Sequence, residues 1–546
     1  MTELSYAHGP SSTALLSETI GSCLTRIAAA HPDREAVVSC AQGVRLTYAE
    51  LDEAVDRLAC GLLTHGIEAG DRVGVWGPNR IEWLLVQYAT AKVGAILVNV
   101  NPAYRTHELT FALDQSGVRL LFSAADFKTS DYRAMVDEVA GELPGLEDVV
   151  FFEDVAWNAL AATPVGGEAL AERMASLDRD DRINIQYTSG TTGFPKGATL
   201  THHNILNNGF FVGELCSYTE QDRICVPVPF YHCFGMVMGN LAALTHGACV
   251  VIPAAGFDPA ATLAAVTAER CTSLYGVPTM FIAMLGDPAF ADCDFSTLRT
   301  GIMAGSPCPA EVMKRVVGEM NMAEVSICYG MTETSPVSTQ TRKDDPLELR
   351  VGSIGRVGPH IEIKVIDPLS GLTVPRGETG ELCTRGYSVM LGYWNEPEKT
   401  AEAKDAAGWM HTGDLATMDA AGYLNIVGRS KDMVIRGGEN VYPREIEEFL
   451  YTHPDIADAQ VVGVPDEKYG EELCVWIQLR DGAAAIDAAA LREFCSGKLA
   501  HYKIPRYVHT VDEFPMTVTG KVRKNDMREQ SIELLDLHDA AAAKTA

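Results

Sequence analysis

The chain has 546 residues, too many for one compact core, so two or more domains are expected. Apolar residues make up 47% of it and charged residues 21%, which is ordinary for a soluble globular protein and excludes global disorder. The formal net charge of −29 argues against nucleic acid as a main partner, because a phosphate backbone needs a basic face.

The amino-terminal stretch and the cysteines bear on the cellular compartment. Residues 1–10 carry no basic cluster followed by an apolar run, so no secretory signal is expected. The most apolar stretch, residues 241–256, is interrupted by His246 and Pro253 and is too short for a transmembrane segment. The 14 cysteines form no Cys-x-x-Cys pair, which fits neither a zinc site nor a disulfide framework. They predict small buried thiols in a cytoplasmic protein.

Helix-like and strand-like segments alternate along the first half of the chain. Helical spacing of apolar residues occurs at 48–62, 82–92 and 106–116. Strand-like apolar runs occur at 72–76, 95–100, 119–122, 247–252 and 271–275. Alternation of this kind predicts an α/β architecture with a largely parallel sheet.

Residues 186–204, QYTSGTTGFPKGATLTHHN, concentrate hydroxyls and glycines around a lysine. Small residues let backbone N–H groups converge on an anion, while hydroxyls add donors and the lysine adds charge. The P-loop pattern does not fit, because Pro195 precedes Lys196, Gly197 follows it, and proline lacks an N–H. On composition alone, an inert turn explains the segment equally well.

The sequence pattern changes after residue 350. Short β-like runs separated by Gly and Pro predict a β-rich subdomain up to about residue 430. A smaller unit follows, with strands at 461–464 and 473–479 and with Asp487 as the N-cap of a helix over 488–499. We therefore expect domains at 1–430 and 431–546, with a frayed tail after Leu537.

Three further motifs carry candidate site residues, each of which also has an ordinary structural explanation. YGMTETSP, residues 329–336, places Glu333 in a hydroxyl-rich turn, where a carboxylate can hold Mg²⁺ beside phosphates. The segment 408–447 contains Asp414, which could accept hydrogen bonds from a ribose diol or merely cap a turn. PMTVTGKVRK, residues 515–524, contains Lys521, although an isolated lysine in such a segment is normally just exposed to solvent.

In this order and spacing the motifs resemble the adenylate-forming superfamily of acyl- and aryl-CoA synthetases, peptide-synthetase adenylation domains and luciferases. The resemblance covers roughly residues 20 to 530, and within the superfamily the chain is most similar to bacterial fatty-acyl-CoA synthetases for medium to long chains. It implies a large α/β amino-terminal domain with a β-rich subdomain and a small mobile α+β carboxyl-terminal domain. It also implies ATP, Mg²⁺, a fatty acid and coenzyme A as cofactor and substrates.

The resemblance implies roles for individual residues. The β- and γ-phosphates of ATP would contact Thr188, Ser189, Gly190, Thr191, Thr192, Gly193 and Lys196. The adenosine would contact Gly305, Ser306, Pro307, Tyr329, Asp414 and Arg429. Glu333 would hold Mg²⁺, and Thr332 would touch the α-phosphate. Lys521 would bridge the acyl carboxylate and the α-phosphate during adenylation.

A rotation of the small domain between the two half-reactions is also implied. Lys431 matches the pivot of that rotation. The turn 436–439, which includes Gly438, would then face the pantetheine channel, where small residues allow close approach. Oligomeric state does not follow from the sequence, and a homodimer is left open.

The expected acyl pocket lies around residues 229–240, which contain no acidic residue, so an amino-acid substrate is disfavoured. His232 either lines this pocket or is a core histidine. Acetate-activating relatives carry Trp where Gly330 stands. The absence of that Trp side chain should leave room for a longer acyl chain. The pocket would be lined by Phe230, Phe234, Met236 and Met238. About six additional buried methylenes would favour a medium chain over acetate by about 5 kcal/mol.

Three alternatives remain at this stage. An acyl-AMP ligase that loads a carrier protein shares the first half-reaction, although no inserted segment typical of such relatives is evident. A luciferase-like oxygenase shares the fold. A non-catalytic nucleotide- or acyl-binding homologue is disfavoured by the intact Lys196, Glu333, Asp414, Arg429 and Lys521.

Overall fold

The computed structural model describes residues 3–188, 195–306, 308–429, 432–436, 439–466, 468–496, 498–517 and 521–538. The side chains of Arg429, Glu439 and Asn440 are not described.

Sheet A contains seven described strands, and its central strands are parallel. In spatial order the strands are Gly392–Tyr393, Lys196–Thr201, Arg182–Thr188, Ile96–Val100, Arg72–Trp76, Val118–Ser123 and Asp148–Phe151. The first three pair antiparallel with one another. Strand 96–100 is buried along its whole length, as expected for a parallel strand covered on both faces.

Sheet B contains nine described strands, of which the central six run parallel. In spatial order they are Arg356–Val357, Val337–Gln340, Glu324–Gly330, Thr300–Ala304, Ser273–Gly276, Arg223–Cys225, Cys249–Ile252, Glu35–Ser39 and Val44–Thr47. Antiparallel strands close both edges. The α/β prediction is confirmed.

Helices cover these two sheets. In chain order they are Ile20–Ala30, Tyr48–Thr64, Ile81–Val93, Thr106–Ser116, Tyr132–Val139, Val155–Ala161, Ala169–Ala175, His202–Leu215, Ala242–His246, Pro259–Ala268, Pro278–Gly286, Ala310–Glu319, Leu347–Gly352 and Pro397–Ala403. A π-helix, Phe234–Leu241, precedes the ninth of them, and short 3₁₀ turns occur at Ala140–Glu142, Pro288–Asp292 and Thr332–Thr334. A two-strand hairpin pairs Asp126–Phe127 with Ser130–Asp131.

The boundaries of several helices follow from local chemistry. Helix 48–64 begins after Thr47, whose hydroxyl accepts from the Glu50 N–H while the Glu50 carboxylate accepts from the Thr47 N–H. Helix 81–93 is buried at every position except Glu82, so it forms the centre of the large core rather than an amphipathic surface element. The helices predicted at 48–62, 82–92 and 106–116 are confirmed.

Sheet C is antiparallel and β-rich, as predicted for the region after residue 350. Its described strands are Tyr6–His8, Ile361–Ile366, Gly380–Gly386, Met410–Met418 and Leu424–Arg429. The register shifts between Glu381, which pairs with Leu415, and Cys383, which pairs with His411. Residues 412–414 therefore bulge from the sheet, and Gly413 takes a φ of 69° that suits glycine.

Sheet D forms the carboxyl-terminal α+β unit with its own buried clusters. Its described strands are Glu439–Val441, Val434–Arg436, Gly470–Leu479, Ile456–Asp466 and Tyr507–Thr510. The helical segments around it are Pro443–Leu450, Ala488–Cys495, the 3₁₀ turn His501–Lys503 and Lys524–Leu534. The predicted boundary between residues 430 and 431 lies outside the described residues and stays a prediction.

Two details of the sequence-based picture need correction. The helix that Asp487 caps ends at Cys495, not at Leu499, because Ser496 takes an extended backbone (φ −63°, ψ 132°). All 14 cysteines lie in described residues and are unpaired, but Cys40 is exposed and Cys293 partly so. Among the described helices, none is long and apolar enough to cross a bilayer.

Candidate active site

The carboxyl ends of two neighbouring parallel strands bring the predicted adenine-binding residues together. Ala304 and Cys328 pair in register, so Gly305–Ser306 and Tyr329 leave sheet B at the same edge. Gly305 has a φ of 92°, a conformation that glycine adopts without strain. Pro307 lies outside the described residues.

Asp414 reaches this edge from the bulge of sheet C. The Tyr329 hydroxyl donates a 2.6 Å hydrogen bond to Asp414 Oδ2, and only 9% of Asp414 is exposed. The Asp414 N–H donates to Thr412 Oγ1 at 3.1 Å, which fixes the backbone of the bulge. Arg429 lies opposite Asp414 in the strand register, and its side chain is not described. Sheets B and C thus meet at a buried carboxylate.

A second carboxylate, Glu333, is held by a tyrosine that the sequence analysis did not identify. Glu333 lies in the 332–334 turn and is 5% exposed. The Tyr393 hydroxyl donates to Glu333 Oε1 at 2.7 Å, and Lys196 Nζ lies 5.0 Å from the centre of the Tyr393 ring. Burial and the Glu333 charge raise the pKa of Tyr393, so its hydroxyl remains a donor. Tyr393 therefore joins two predicted site residues.

The backbone around Tyr393 is fixed from both sides. The Leu391 N–H donates to Thr199 O at 3.0 Å, and the Trp394 N–H donates to Gly197 O at 2.7 Å. Lys404 Nζ donates to the carbonyls of Met390 and Leu391 at 3.0 and 2.7 Å. The sequence signal for this arrangement was weak, because a Gly-Tyr pair on a two-residue edge strand has no periodicity to reveal it.

The predicted phosphate loop connects two antiparallel strands of sheet A. Thr188 and Lys196 are paired in register, and Thr188 Oγ1 donates to Lys196 O at 3.4 Å. A P-loop would lead from a strand directly into a helix, so its exclusion from sequence is confirmed. The predicted contacts Ser189, Gly190, Thr191, Thr192 and Gly193 lie outside the described residues.

Lys521 reaches the same region from the carboxyl-terminal unit. Its backbone closes a turn with Thr517, whose N–H donates to Lys521 O at 2.7 Å. The positive charge of Lys521, after burial, helps to lower the pKa of His232 to about 3. It also lowers the pKa of Cys233, although burial dominates and raises that thiol to about 11. The charge of Lys521 therefore acts on both His232 and Cys233.

Thr332 and His232 flank Cys233. Cys233 Sγ lies 3.7 Å from Thr332 Oγ1 and 3.7 Å from His232 Nδ1. The Phe234 N–H donates to His232 Nδ1 at 3.1 Å, which requires that this nitrogen be unprotonated. With its lowered pKa, the partly exposed His232 is neutral at neutral pH, and its role in lining the pocket stays a prediction.

The segment predicted to line the acyl pocket forms the π-helix Phe234–Leu241, which the sequence analysis did not anticipate. Side chains donate to the carbonyls of three alternate residues in it. Gln87 donates to Met236 O at 3.4 Å, Tyr275 to Met238 O at 3.0 Å and Tyr88 to Asn240 O at 3.2 Å. The predicted lining residues Phe230, Phe234, Met236 and Met238 are each at most 5% exposed. A wide helix of this kind is rare and often marks a functional site.

Gly330, which was predicted to leave pocket space, also has a packing reason to be glycine. A Cβ at this position would lie 1.8 Å from Pro336 O and 2.9 Å from the Pro336 carbonyl carbon. The backbone of the following turn therefore excludes any side chain unless it moves. Exchange of Gly330 for tryptophan would disturb the fold as well as the pocket.

The predicted hinge Lys431 and the predicted pantetheine-facing Gly438 lie outside the described residues. The adjoining Arg436 is described, and it donates to Tyr502 O at 2.7 Å and to Glu472 Oε2 at 2.6 Å. This arginine ties the end of strand 434–436 to the 3₁₀ turn 501–503 and to strand 470–479.

Known proteins resemble this chain over nearly its whole length. The family profile described as AMP-binding enzyme matches residues 24–394, and that of the AMP-binding enzyme C-terminal domain matches residues 445–521. A putative acyl-CoA synthetase, YngI from Bacillus subtilis, is 49% identical over 96% of this chain and 99% of its own length. The mitochondrial medium-chain acyl-CoA ligase ACSF2 from Danio rerio is 45% identical over 98% of this chain and 91% of its own.

Solved structures share the fold across both units. ATP-bound MatB from Rhodopseudomonas palustris is 30% identical with a TM-score of 0.83, and the match covers 93% of this chain and 98% of that one. The anthranilate CoA ligase AuaEII in complex with anthranoyl-AMP is 27% identical with a TM-score of 0.86, covering 95% and 98%.

Proposed function

Because the chain belongs to the AMP-binding enzyme family, we propose that it is an ATP-dependent acyl-CoA synthetase acting on fatty acids. A fatty-acid carboxylate reacts with ATP to give acyl-AMP and pyrophosphate, and coenzyme A then converts acyl-AMP into acyl-CoA and AMP. The observation that carries this proposal is that Tyr329 holds the buried Asp414 at the carboxyl edge of sheet B. Thr332 lies 3.7 Å from Cys233, a thiol on which the charge of Lys521 from the carboxyl-terminal unit acts. Such an arrangement suits the first half-reaction.

In that first step a carboxylate oxygen bonds to the α-phosphorus while the bond to the leaving pyrophosphate breaks. Lys521 stabilises the negative charge that develops between the acyl carboxylate and the α-phosphate. Thr332 contacts the α-phosphate. Thr188, the loop 189–193 and Lys196 hold the β- and γ-phosphates until pyrophosphate leaves. Catalysis then depends mainly on positioning and charge neutralisation.

The same edge of sheet B holds the nucleoside. Asp414, already oriented by the Tyr329 hydroxyl, accepts hydrogen bonds from the ribose diol, and Arg429 assists it. Gly305, Ser306 and the backbone at Tyr329 enclose the adenine. Small residues and a backbone edge leave the flat space that a purine ring needs.

Mg²⁺ is proposed as the metal, with Glu333 as its protein ligand. The residues fit, because Glu333 is a buried carboxylate oriented by Tyr393, and Mg²⁺ prefers oxygen ligands from one or two carboxylates plus phosphates. When bound, Mg²⁺ neutralises phosphate charge. Lys196, over the ring of the same tyrosine, contributes a second positive charge.

In the second step the coenzyme A sulfur bonds to the acyl carbon, the thiol proton is lost, and AMP leaves with the bonding electrons. We propose that the carboxyl-terminal unit turns about Lys431 between the two steps. The turn with Gly438, anchored by Arg436, then faces the pantetheine arm. Domains at 1–430 and 431–546 are part of this proposal.

For the acyl group we propose a medium or longer chain. The π-helix offers Phe234, Met236 and Met238, with no acidic partner for an ammonium group. The ligase from Danio rerio, similar over nearly the whole chain, is named for medium-chain acids.

A cytoplasmic location is also proposed, because the 14 unpaired cysteines suit a reducing compartment. A homodimer remains to be tested by solution mass measurements.

The test is a product assay with a panel of acids from acetate to stearate, with Mg·ATP and with or without coenzyme A. We expect acyl-CoA to accumulate for one band of chain lengths, with acyl-AMP in its place when coenzyme A is omitted. Lys521→Ala should abolish acyl-AMP formation yet still bind ATP. Lys468 is a loop lysine of the same unit, and Lys468→Ala should leave acyl-AMP formation intact. Persistence of acyl-AMP despite coenzyme A would instead favour transfer to a carrier protein.

A further inference from the structure

Three potential metal ligands converge in sheet C, outside the residues assigned above. Glu381 and Cys383 are two residues apart on one strand, so their side chains share a face, and His411 is the cross-strand partner of Cys383. The spacing of the 14 cysteines alone gave no metal pattern, because only one of these ligands is a cysteine and His411 comes from another strand.

Two of the three ligand separations are close to those of a tetrahedral zinc site. His411 Nδ1 lies 3.0 Å from Glu381 Oε2 and 3.6 Å from Cys383 Sγ, and the three ligand atoms all lie within 4.8 Å of one another. Ordinary Zn–N, Zn–S and Zn–O bond lengths at tetrahedral angles put nitrogen and sulfur about 3.6 Å apart and nitrogen and oxygen about 3.4 Å apart. The His411–Glu381 separation would need to open by only a few tenths of an ångström.

We propose that Glu381, Cys383 and His411 bind Zn²⁺ or a similar thiophilic divalent cation, with a fourth position open to solvent. The thiol proton leaves to solvent as the metal–sulfur bond forms, and the imidazole keeps a proton on Nε2. The His411 and Glu381 side chains are 31% and 17% exposed, which gives a cation a path, whereas Cys383 is fully buried.

Charges around the three ligands are mixed. Lys364 Nζ and the Arg385 guanidinium each lie 4.5 Å from the centre of the Trp409 ring, and Arg385 also pairs with Glu362 at 2.8 Å. These cations thus have partners of their own. Glu381 and one thiolate supply two negative charges to the bound cation.

The strand bulge links this site to Asp414, the carboxylate proposed to bind the ribose. The Gly413 N–H donates to Glu381 Oε1 at 3.2 Å, and Gly413 immediately precedes Asp414. A cation held by Oε2 leaves Oε1 bonded to Gly413, so the bound metal would brace the bulge that presents Asp414. This consequence rests on the proposed nucleotide role of Asp414, whereas metal binding itself does not.

Titration of the reduced full-length protein with Co²⁺ tests the proposal without an activity readout. Excess Mg²⁺ is included to occupy hard-oxygen sites. We expect one equivalent of Co²⁺ with a near-ultraviolet thiolate charge-transfer band and the intense visible bands of tetrahedral cobalt, both displaced by Zn²⁺. Cys383→Ser and His411→Gln should weaken binding at least tenfold, and Glu381→Gln should weaken it less severely. Circular dichroism and urea unfolding verify that each variant folds.

Two controls separate this site from others. His65 Nε2 lies 3.5 Å from the Asp148 carboxylate, a pair that includes no thiol. His65→Gln should therefore leave the cobalt bands unchanged. Cys233→Ser removes the thiol beside the catalytic residues and should also leave them unchanged. A spectrum without a thiolate band in the wild-type protein would overturn the proposal. A band that survives in folded Cys383→Ser, or that disappears in Cys233→Ser, would overturn it equally.

Discussion

Removal of the Tyr393 hydroxyl should weaken the use of Mg²⁺ without altering the fold. In Tyr393→Phe the ring that Lys196 contacts is kept, and only the 2.7 Å hydrogen bond to Glu333 Oε1 is lost. Glu333 would then be a buried carboxylate that has lost the donor fixing its orientation. The variant therefore isolates the positioning of one candidate metal ligand.

The size of the effect follows from the kind of hydrogen bond. A bond to a charged acceptor stabilises by about 1.5–3 kcal/mol, which corresponds to roughly 10- to 150-fold. Loss of a group that orients a metal ligand typically costs about 10- to 100-fold in metal affinity or activity. We therefore expect the Mg²⁺ concentration that gives half-maximal pyrophosphate release to rise by about 10- to 100-fold.

The assay measures pyrophosphate release at saturating ATP and fatty acid over a range of Mg²⁺ concentrations. Conversion of synthetic acyl-AMP to acyl-CoA, which needs no triphosphate, should change by less than about twofold. Tyr423→Phe is the matched control, because the Tyr423 hydroxyl donates to Asp345 at 2.6 Å and the two tyrosines are 7% and 8% exposed. It should leave the Mg²⁺ requirement unchanged.

An unaltered Mg²⁺ requirement in Tyr393→Phe would refute the reasoning, whatever happens to the maximal rate. Equal shifts in Tyr393→Phe and Tyr423→Phe would also refute it, because they would indicate a general loss of stability. A shift confined to Tyr393→Phe would support the roles of both Tyr393 and Glu333.

Three other predictions concern nucleotide binding, packing and pH. Asp414→Asn should raise the KM for ATP by about 10- to 100-fold in initial-rate assays, because a charged acceptor is lost, and an equal rise in the KM for the fatty acid would contradict this. Gly330→Ala should lower the free energy of unfolding in urea by about 1–3 kcal/mol, since its Cβ would meet Pro336 O at 1.8 Å, whereas helical Gly318→Ala meets nothing within 4 Å and should not be destabilising. Burial lowers the pKa of His202 from 6.5 to about 3, so its unfolded form takes up protons first and stability falls as pH drops below 6.5. The stability advantage of the wild type over His202→Gln should therefore shrink by about 2 kcal/mol between about pH 7.5 and pH 5, and a constant difference would contradict the buried neutral state.

The fold was largely predictable because its elements have strong local signals. Helix 106–116 and strand 72–76 were predicted with the observed bounds, since apolar periodicity and flanking glycines define them. The N-cap at Asp487 was also predicted, but the early end at Cys495 was not, although Gly497 follows it by two residues. Periodicity locates helices and strands more reliably than it locates their last turn.

The site was predictable only where its residues lie in dense motifs. Glu333 and Lys196 stand in hydroxyl- and glycine-rich segments, whereas Tyr393 comes from a short edge strand almost 200 residues beyond Lys196. The pairing of Asp414 with Tyr329 is likewise a long-range contact between two sheets. Neither contact leaves a trace in local composition, and only the tertiary fold brings these groups together.

The π-helix 234–241 also bears on how related chains could diverge in substrate choice. Deletion of a single residue within it would restore α-helical winding and turn the side chains on one side of the deletion by about 100° relative to the other. Insertions and deletions in this segment would thus exchange, in one step, a whole set of the side chains that are proposed to line the acyl pocket. Substitutions, by contrast, would alter the chain-length preference only one side chain at a time.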